Sequence, residues 1–374
     1  MRDSGRLARF IPVILVAALA IVPLSARAAP DVYIGGVAQP EGQWQQQDPS
    51  VMITNPRNSG FALHHARLIA AGGINGWNVR WDARVEMEMV PAFQLLDAWL
   101  AGTKELPRAG SLRVTFGQQF APFSRQTMLP LHTLQMVDYA QLTTLAPGRQ
   151  LGLSANLALP VVPWVQVSAG LFNGKGINIV ENLDQNLEYV GRLEFKPIGT
   201  RAPAIESALG PDVVSVAGDI SWTKQKLGDF NQISLLLGAD AFFSMFGFSF
   251  YAEYLWGNVT YSAGAPKQNY HEQGFNAQAG YLFPIPGILW RRIEITSRFE
   301  AVAPNQTVPI TGPGDPTQAH DAFVVGLNYY HRKHNLKLMM NYTHNMQIDA
   351  VDATGRPATY KNDSFVAQVT YRLE

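Results

Sequence analysis

From Trp77 to Met89 the chain alternates with hardly a break: Trp77, Val79, Trp81, Val85, Met87 and Met89 fall at odd positions, and Asn78, Arg80, Asp82, Arg84, Glu86 and Glu88 at even ones. Successive side chains of a strand point to opposite faces, so a strand this long needs an apolar medium on one side and water or paired charges on the other. The wall of a barrel set in a membrane meets both needs. The same period-two pattern, bounded by Gly, Pro, Asn and Asp, recurs about sixteen times. It falls near 31–46, 60–71, 76–89, 93–101, 111–120, 149–159, 164–173, 187–196, 212–224, 230–241, 246–261, 271–283, 290–302, 320–331, 335–346 and 363–373. Most of these segments reach the roughly 9 to 11 residues that a tilted strand needs to cross a bilayer. The expected fold is all-β, a transmembrane antiparallel up-and-down barrel of about sixteen strands.

The first residues fit an export signal. Arg2, Arg6 and Arg9 form the positive start, Phe10 to Leu24 the apolar stretch, and Ala26-Arg27-Ala28 a small-x-small cleavage site. Residues 1–28 are therefore expected to be removed, and 29–374 to form one barrel domain. Without that segment the chain keeps 25 basic and 28 acidic residues, which excludes the overall basic field of a nucleic-acid binder. It has no cysteine, and so no disulfide framework and no thiolate metal site or nucleophile.

The connections carry further information, since bacterial barrels place short turns in the periplasm and longer loops outside. Short turns are expected at Gly72 to Asn75, Pro160 to Pro163, Phe242 to Met245, Pro284 to Gly287 and Arg332 to His334. Longer loops are expected at Asp48 to Ser59, Phe120 to Gly148, Asn173 to Asn186, Ser262 to Tyr270, Ala303 to Ala319 and Gln347 to Asn362. Two places break the rule: Pro197 to Pro211 is long for a periplasmic turn, and the outer connection at Pro91 is very short. Aromatic residues such as Trp99, Trp164, Trp256, Trp290, Tyr281, Tyr329 and Tyr371 sit near strand ends or on outward faces, as membrane interfaces favour. The last strand places Phe365, Ala367, Val369, Tyr371 and Leu373 on one face.

Several ordered motifs resemble the phosphate- and polyphosphate-selective porins of Gram-negative outer membranes. They are Phe61 to Leu68 with its arginine, Leu96-Asp97-Ala98-Trp99, Phe116 to Ser124, Gly148-Arg149-Gln150-Leu151-Gly152, Ala169 to Gly174, and the late pair Gly326 to Tyr330 with Leu338 to Tyr342. The resemblance spans roughly residues 60–374. It implies a sixteen-stranded outer-membrane porin, usually a homotrimer, through which small solutes or ions diffuse passively, anions such as phosphate among them. It also implies a third outer loop, 120–148, folded inward to narrow the pore. The partners are then small ions and solutes and outer-membrane lipid, with no nucleic acid and no cofactor. The family's phosphate preference is attributed to lumenal arginines and a lysine cluster, whereas the nine lysines here are scattered and the inward faces mixed, so anion selectivity is not carried over.

On this reading the loop carries Arg125, His132 and Asp138 toward the lumen, with Arg149 at its exit. Strand phase turns Arg80 and Arg84, Arg113, Arg192 and Arg298 inward, because an arginine facing lipid near the midplane costs ~2 to 4 kcal/mol. Arg80, Arg84 and Arg113 on neighbouring strands are the first candidates for a positive stripe beside the constriction. No Gly-x-Ser-x-Gly, His-Glu-x-x-His or Gly-rich phosphate loop suggests an enzyme. His64-His65 and His331 with His334 are expected not to form metal sites, the first pair because neighbours on a strand point to opposite faces. A plugged barrel with an enzymatic, structural or adhesive role stays open as the alternative.

Overall fold

The computed structural model describes residues 31–46, 59–108, 110–199, 205–262, 268–285, 292–304, 319–347 and 363–373. The expected leader, 1–28, lies outside them, as do most of the loops at 48–59, 303–319 and 347–362. The strands are β1 (Asp31–Gln45), β2 (Gly60–Gly76), β3 (Val79–Val90), β4 (Gln94–Glu105), β5 (Ser111–Phe120), β6 (Arg149–Ala158), β7 (Val165–Phe172) and β8 (Glu188–Ile198). They continue as β9 (Val213–Leu227), β10 (Phe230–Met245), β11 (Phe248–Tyr261), β12 (Tyr270–Leu282), β13 (Ile293–Ala303), β14 (His320–Tyr330), β15 (Leu336–Gln347) and β16 (Ser364–Leu373). Each pairs antiparallel with its neighbours in sequence, and β1 closes on β16 from Gly36 opposite Leu373 to Trp44 opposite Phe365. Closure leaves no free sheet edge, which a bilayer requires because its core offers backbone groups no water. Outward faces carry exposed apolar residues such as Leu193, Ile220, Trp222, Phe250, Phe299 and Leu327.

All sixteen strands lie where the alternation places them, but three local expectations are corrected. The first hairpin turns at Trp77–Asn78 and not at Gly72 to Asn75, which belong to β2. Trp77 and Asn78 have φ of 55° and 59°, the left-handed pair whose twist suits a two-residue hairpin. Gly73 serves close packing: a Cβ there would lie 2.5 Å from the Arg80 guanidinium and from the Asp82 carboxylate. Likewise β10 runs through Phe242 to Met245 and turns at Phe246–Gly247. The third correction concerns His64 and His65, which both face the lumen. A register shift at Gln39/Pro40 against β2 breaks the alternation there, so His64 Nδ1 meets Glu41 at 3.1 Å and His65 Nδ1 meets Glu88 at 2.9 Å.

The apolar core lies inside the barrel. Ala121, Phe123 and Leu142 from the β5–β6 connection pack against Phe172, Val190, Leu236, Leu255 and Val302 of the wall. From the opposite end the β8–β9 connection also folds inward: Glu206, Ser207 and Ala208 are buried, and Ala208 packs with Leu282 and Tyr330.

Candidate functional site: an off-centre lumenal passage

The connection from Ala121 to Gly148 crosses the lumen and is fastened to the β11–β16 side. Asn341 Oδ1 accepts from the Val137 amide at 2.6 Å, Glu300 from the Gln141 amide at 3.0 Å, and Arg298 donates to the Asp138 carbonyl at 2.9 Å. Gln135 donates through its side chain to Ser249 at 2.7 Å and Glu294 at 2.8 Å, while its carbonyl accepts from Asn328 at 2.8 Å. Glu206 of the β8–β9 connection accepts from the Gln135 amide at 2.8 Å, from Gln126 at 2.8 Å and from Gln278 at 3.0 Å. Two segments entering from opposite ends thus meet at one carboxylate. Buried polar groups must be paired, and this network pairs backbone and side-chain groups of a loop held at membrane depth.

Among the described residues, three spaces along the lumen border the β1 to β6 side. A cavity of about 200 Å³ is lined by Val37, Arg67, Ile69, Arg84, Glu86, Asp97, Trp99, Phe120, Met128, Pro130, Leu131, His132 and Arg149. Toward the end with short turns, a second space of about 260 Å³ is lined by Asp31, Tyr33, Arg80, Asp82, Arg84, Trp99 and Arg113 among others. A vestibule of about 820 Å³ at that end is lined by Arg84, Pro130, His132, Ile205, Leu209, Arg332, Lys333, His334 and Arg372 among others. Arg84 borders all three spaces, and Trp99 stands between the first two.

The arginines along this path are held by carboxylates. Arg80 reaches Asp31 and Asp82, both at 2.9 Å, and Arg113 meets Asp82 at 2.9 Å with its guanidinium carbon 5.2 Å from the Trp99 ring. Arg84 binds Glu86 and lies 3.4 Å from Asp97, and Arg149 donates to Asp97 at 2.8 Å while lying 3.8 Å over Phe120. Arg67, from the Phe61 to Leu68 motif but absent from the candidates named above, joins them through Glu86 and Glu88. Its signal was hidden by the same break in alternation that turns both histidines inward.

The other candidates stand elsewhere. Arg192 is buried between Asp219 and Asp240. Arg125, also buried, lies 4.0 Å over Phe242 and donates to the Ile205 carbonyl at 3.4 Å. Arg298 pairs with Glu300 beneath Asp138, whose carboxylate meets His64 Nε2 at 3.1 Å. His132 accepts at Nε2 from Arg372 at 2.8 Å; burial first, then Arg372 and Lys337, push its imidazole down to about 3, so it is neutral at any ordinary pH.

A closed sixteen-stranded barrel whose inward third connection leaves a charged passage along the wall is an outer-membrane porin, at home in the outer membrane of a Gram-negative bacterium. Residues 236–373 match the family model described as phosphate-selective porin O and P. The family is one of channels, not enzymes. No curated protein sequence matches the chain. Among solved structures the barrel is similar to the channel DcaP of Acinetobacter baumannii, at 12% identity and TM-score 0.61, covering 94% of this chain and 100% of that one. It is also similar to an anion-selective porin from Comamonas acidovorans (12%, TM-score 0.60, 92% and 99%). A trimer form of OmpT from Vibrio cholerae superposes with TM-score 0.57 at 9% identity, covering 92% and 100%.

Proposed function

We propose that this porin passes small anions by passive diffusion along the β1–β6 wall, with Arg67, Arg80, Arg84, Arg113 and Arg149 lining the route. The carrying observation is the vestibule at the short-turn end: among its lining residues Arg84, Arg332, Lys333 and Arg372 are cationic and none is Asp or Glu. His132 and His334 add no charge there, since burial pushes both imidazoles down, His334 well below its usual range. Around the three spaces together stand eight Arg or Lys side chains and four carboxylates. A narrow passage with one sign in excess, set between low-dielectric walls, concentrates the opposite ion. His132 of the inward loop borders this route, whereas Asp138, paired with His64, and Arg125, Arg192 and Arg298 serve to hold loop and wall. We also propose a homotrimer, a state supported by the trimer form of the Vibrio cholerae neighbour, and removal of residues 1–28 on export.

The test is the reversal potential of single channels in a planar bilayer under a KCl gradient. The expected sign is that of chloride preference, reduced when Arg332 and Lys333 are both changed to Gln. A wild-type channel that prefers potassium overturns the proposal.

A further inference from the structure

We infer that the cavity between Arg67, Arg84, Arg149 and Trp99 is a binding site for a small carboxylate with an apolar body, such as a single-ring aromatic acid, and that it selects this class over inorganic phosphate. The inference rests on the channel reading above and names the solute class of that passage.

Charge sets the first condition. Three guanidiniums and two carboxylates, Glu86 and Asp97, line the cavity, so its excess is one positive charge. His132 borders it as a neutral group. A monoanion completes this balance, whereas the dianionic form of phosphate would bring a second charge next to Glu86 and Asp97. Both these carboxylates are themselves buried, and uncompensated charge in such a setting is costly.

Lining chemistry sets the second. Val37, Ile69, Trp99, Phe120, Met128, Pro130 and Leu131 form the rest of the wall, more than half of the thirteen lining residues. Hydrated inorganic anions gain nothing from such surface, while a ring or short alkyl body gains by leaving water. The two aromatics are placed beside the cations: Arg149 lies over Phe120 at 3.8 Å, and Arg113 stands 5.2 Å from the Trp99 ring on the side of the second space. A planar solute can therefore rest against an indole or phenyl face with its carboxylate turned to Arg84 or Arg149. Size agrees, since about 200 Å³ is below the roughly 300 to 1,000 Å³ of drug-sized sites and suits one ring.

The family's name does not argue against this. The residues of the cavity run from Val37 to Arg149, and the family match begins only at 236.

The experiment is isothermal titration of the refolded, heat-modifiable full chain in detergent micelles with sodium benzoate, sodium acetate and inorganic phosphate in turn, after subtracting heats from empty micelles. Benzoate is expected to saturate and to bind at least about tenfold more tightly than acetate or phosphate, as one extra buried apolar body implies. Trp99→Ala should weaken benzoate about tenfold, and Trp99→Phe, which keeps a ring, should restore most of it. Phosphate binding as tightly as benzoate, acetate matching benzoate, or no saturable benzoate heat each overturns the inference. Should the alanine variant fail to fold, the wild-type ligand series and the phenylalanine variant still decide. Unitary conductance recorded in parallel judges the channel reading separately, because a barrel that binds benzoate yet conducts nothing fails there alone.

Discussion

At the scale of the residue, the inward charges divide into those that face water and those that replace it. Arg192 belongs to the second group: its guanidinium donates to both oxygens of Asp219 at 2.9 Å and to Asp240, and neither aspartate side chain is exposed at all. Removing the cation strands two buried carboxylates, so Arg192→Ala should cost about 3 to 5 kcal/mol. Urea titration of the refolded barrel in micelles measures this, and combining Arg192→Met with Asp219→Asn and Asp240→Asn, which removes all three charges together, should recover most of the loss. The inward phase of Arg192 was readable from alternation alone, as was that of Arg80, Arg84, Arg113 and Arg298. What each one touches was not, because Asp219 and Asp240 come from other strands and Asp138 from a loop. Strand phase states which face a side chain takes and says nothing about what stands opposite.

At the scale of the element, the inward loop is held by many hydrogen bonds, and imidazoles take part in holding it: His64 meets Asp138, and His132 meets Arg372. His132 must be neutral to accept from Arg372, and its value near 3 lies below the ordinary 6.5. When the loop lifts away and His132 is solvated, the open form binds more protons between those two values. The stability that His132 contributes to the tucked loop is therefore complete above pH 6.5 and is lost as pH falls from 6.5 toward 3, at up to ~1.36 kcal/mol per unit. Amide exchange across 121–148, corrected for intrinsic rates, should rise as pH falls through this window. His132→Gln, an acceptor that does not titrate, should remove the slope; a slope that survives assigns the effect to another group. The existence of this loop was legible as a long stretch without period. Its anchoring was not, since a pattern of apolar residues cannot show that Leu134 and Met136 are covered by the inside of a barrel and not by solvent-shielded strands. The turn at Trp77–Asn78 was missed for a related reason: Gly72-Gly73 looks like a turn, yet those glycines make room for Asp31, Arg80 and Asp82.

At the scale of the whole molecule, lipid-facing apolar surface surrounds the barrel, and the third outer connection is the only long one that turns wholly inward among the described residues. The β3–β4 connection, Pro91 to Phe93, is too short to reach across to another barrel. With no reach from that connection, the proposed trimer is expected to be held mainly by outward strand faces, to survive mild detergent and to dissociate to folded monomers in harsher detergent before the barrels unfold. Native mass spectrometry across a detergent series checks this, and a monomer under the mildest conditions refutes the trimer. The number of strands, the closure and the alternation of short and long connections were all visible in the sequence, because bilayer thickness and backbone pairing leave few solutions. Which side of the lumen stays open was invisible, being decided by where two connections come to rest.

That lopsided filling limits what a match in sequence can report. The strands that match the family, β10 to β16, are largely those to which the inward loop is tied, while the cavities nearest the arginine wall are built from residues before 150. A match confined to residues 236–373 therefore reports on the strands that hold the loop and not on the residues before 150 that border these cavities. Likeness carried by the anchoring side is silent about the solute, because the wall that would meet the solute lies in the other part of the chain.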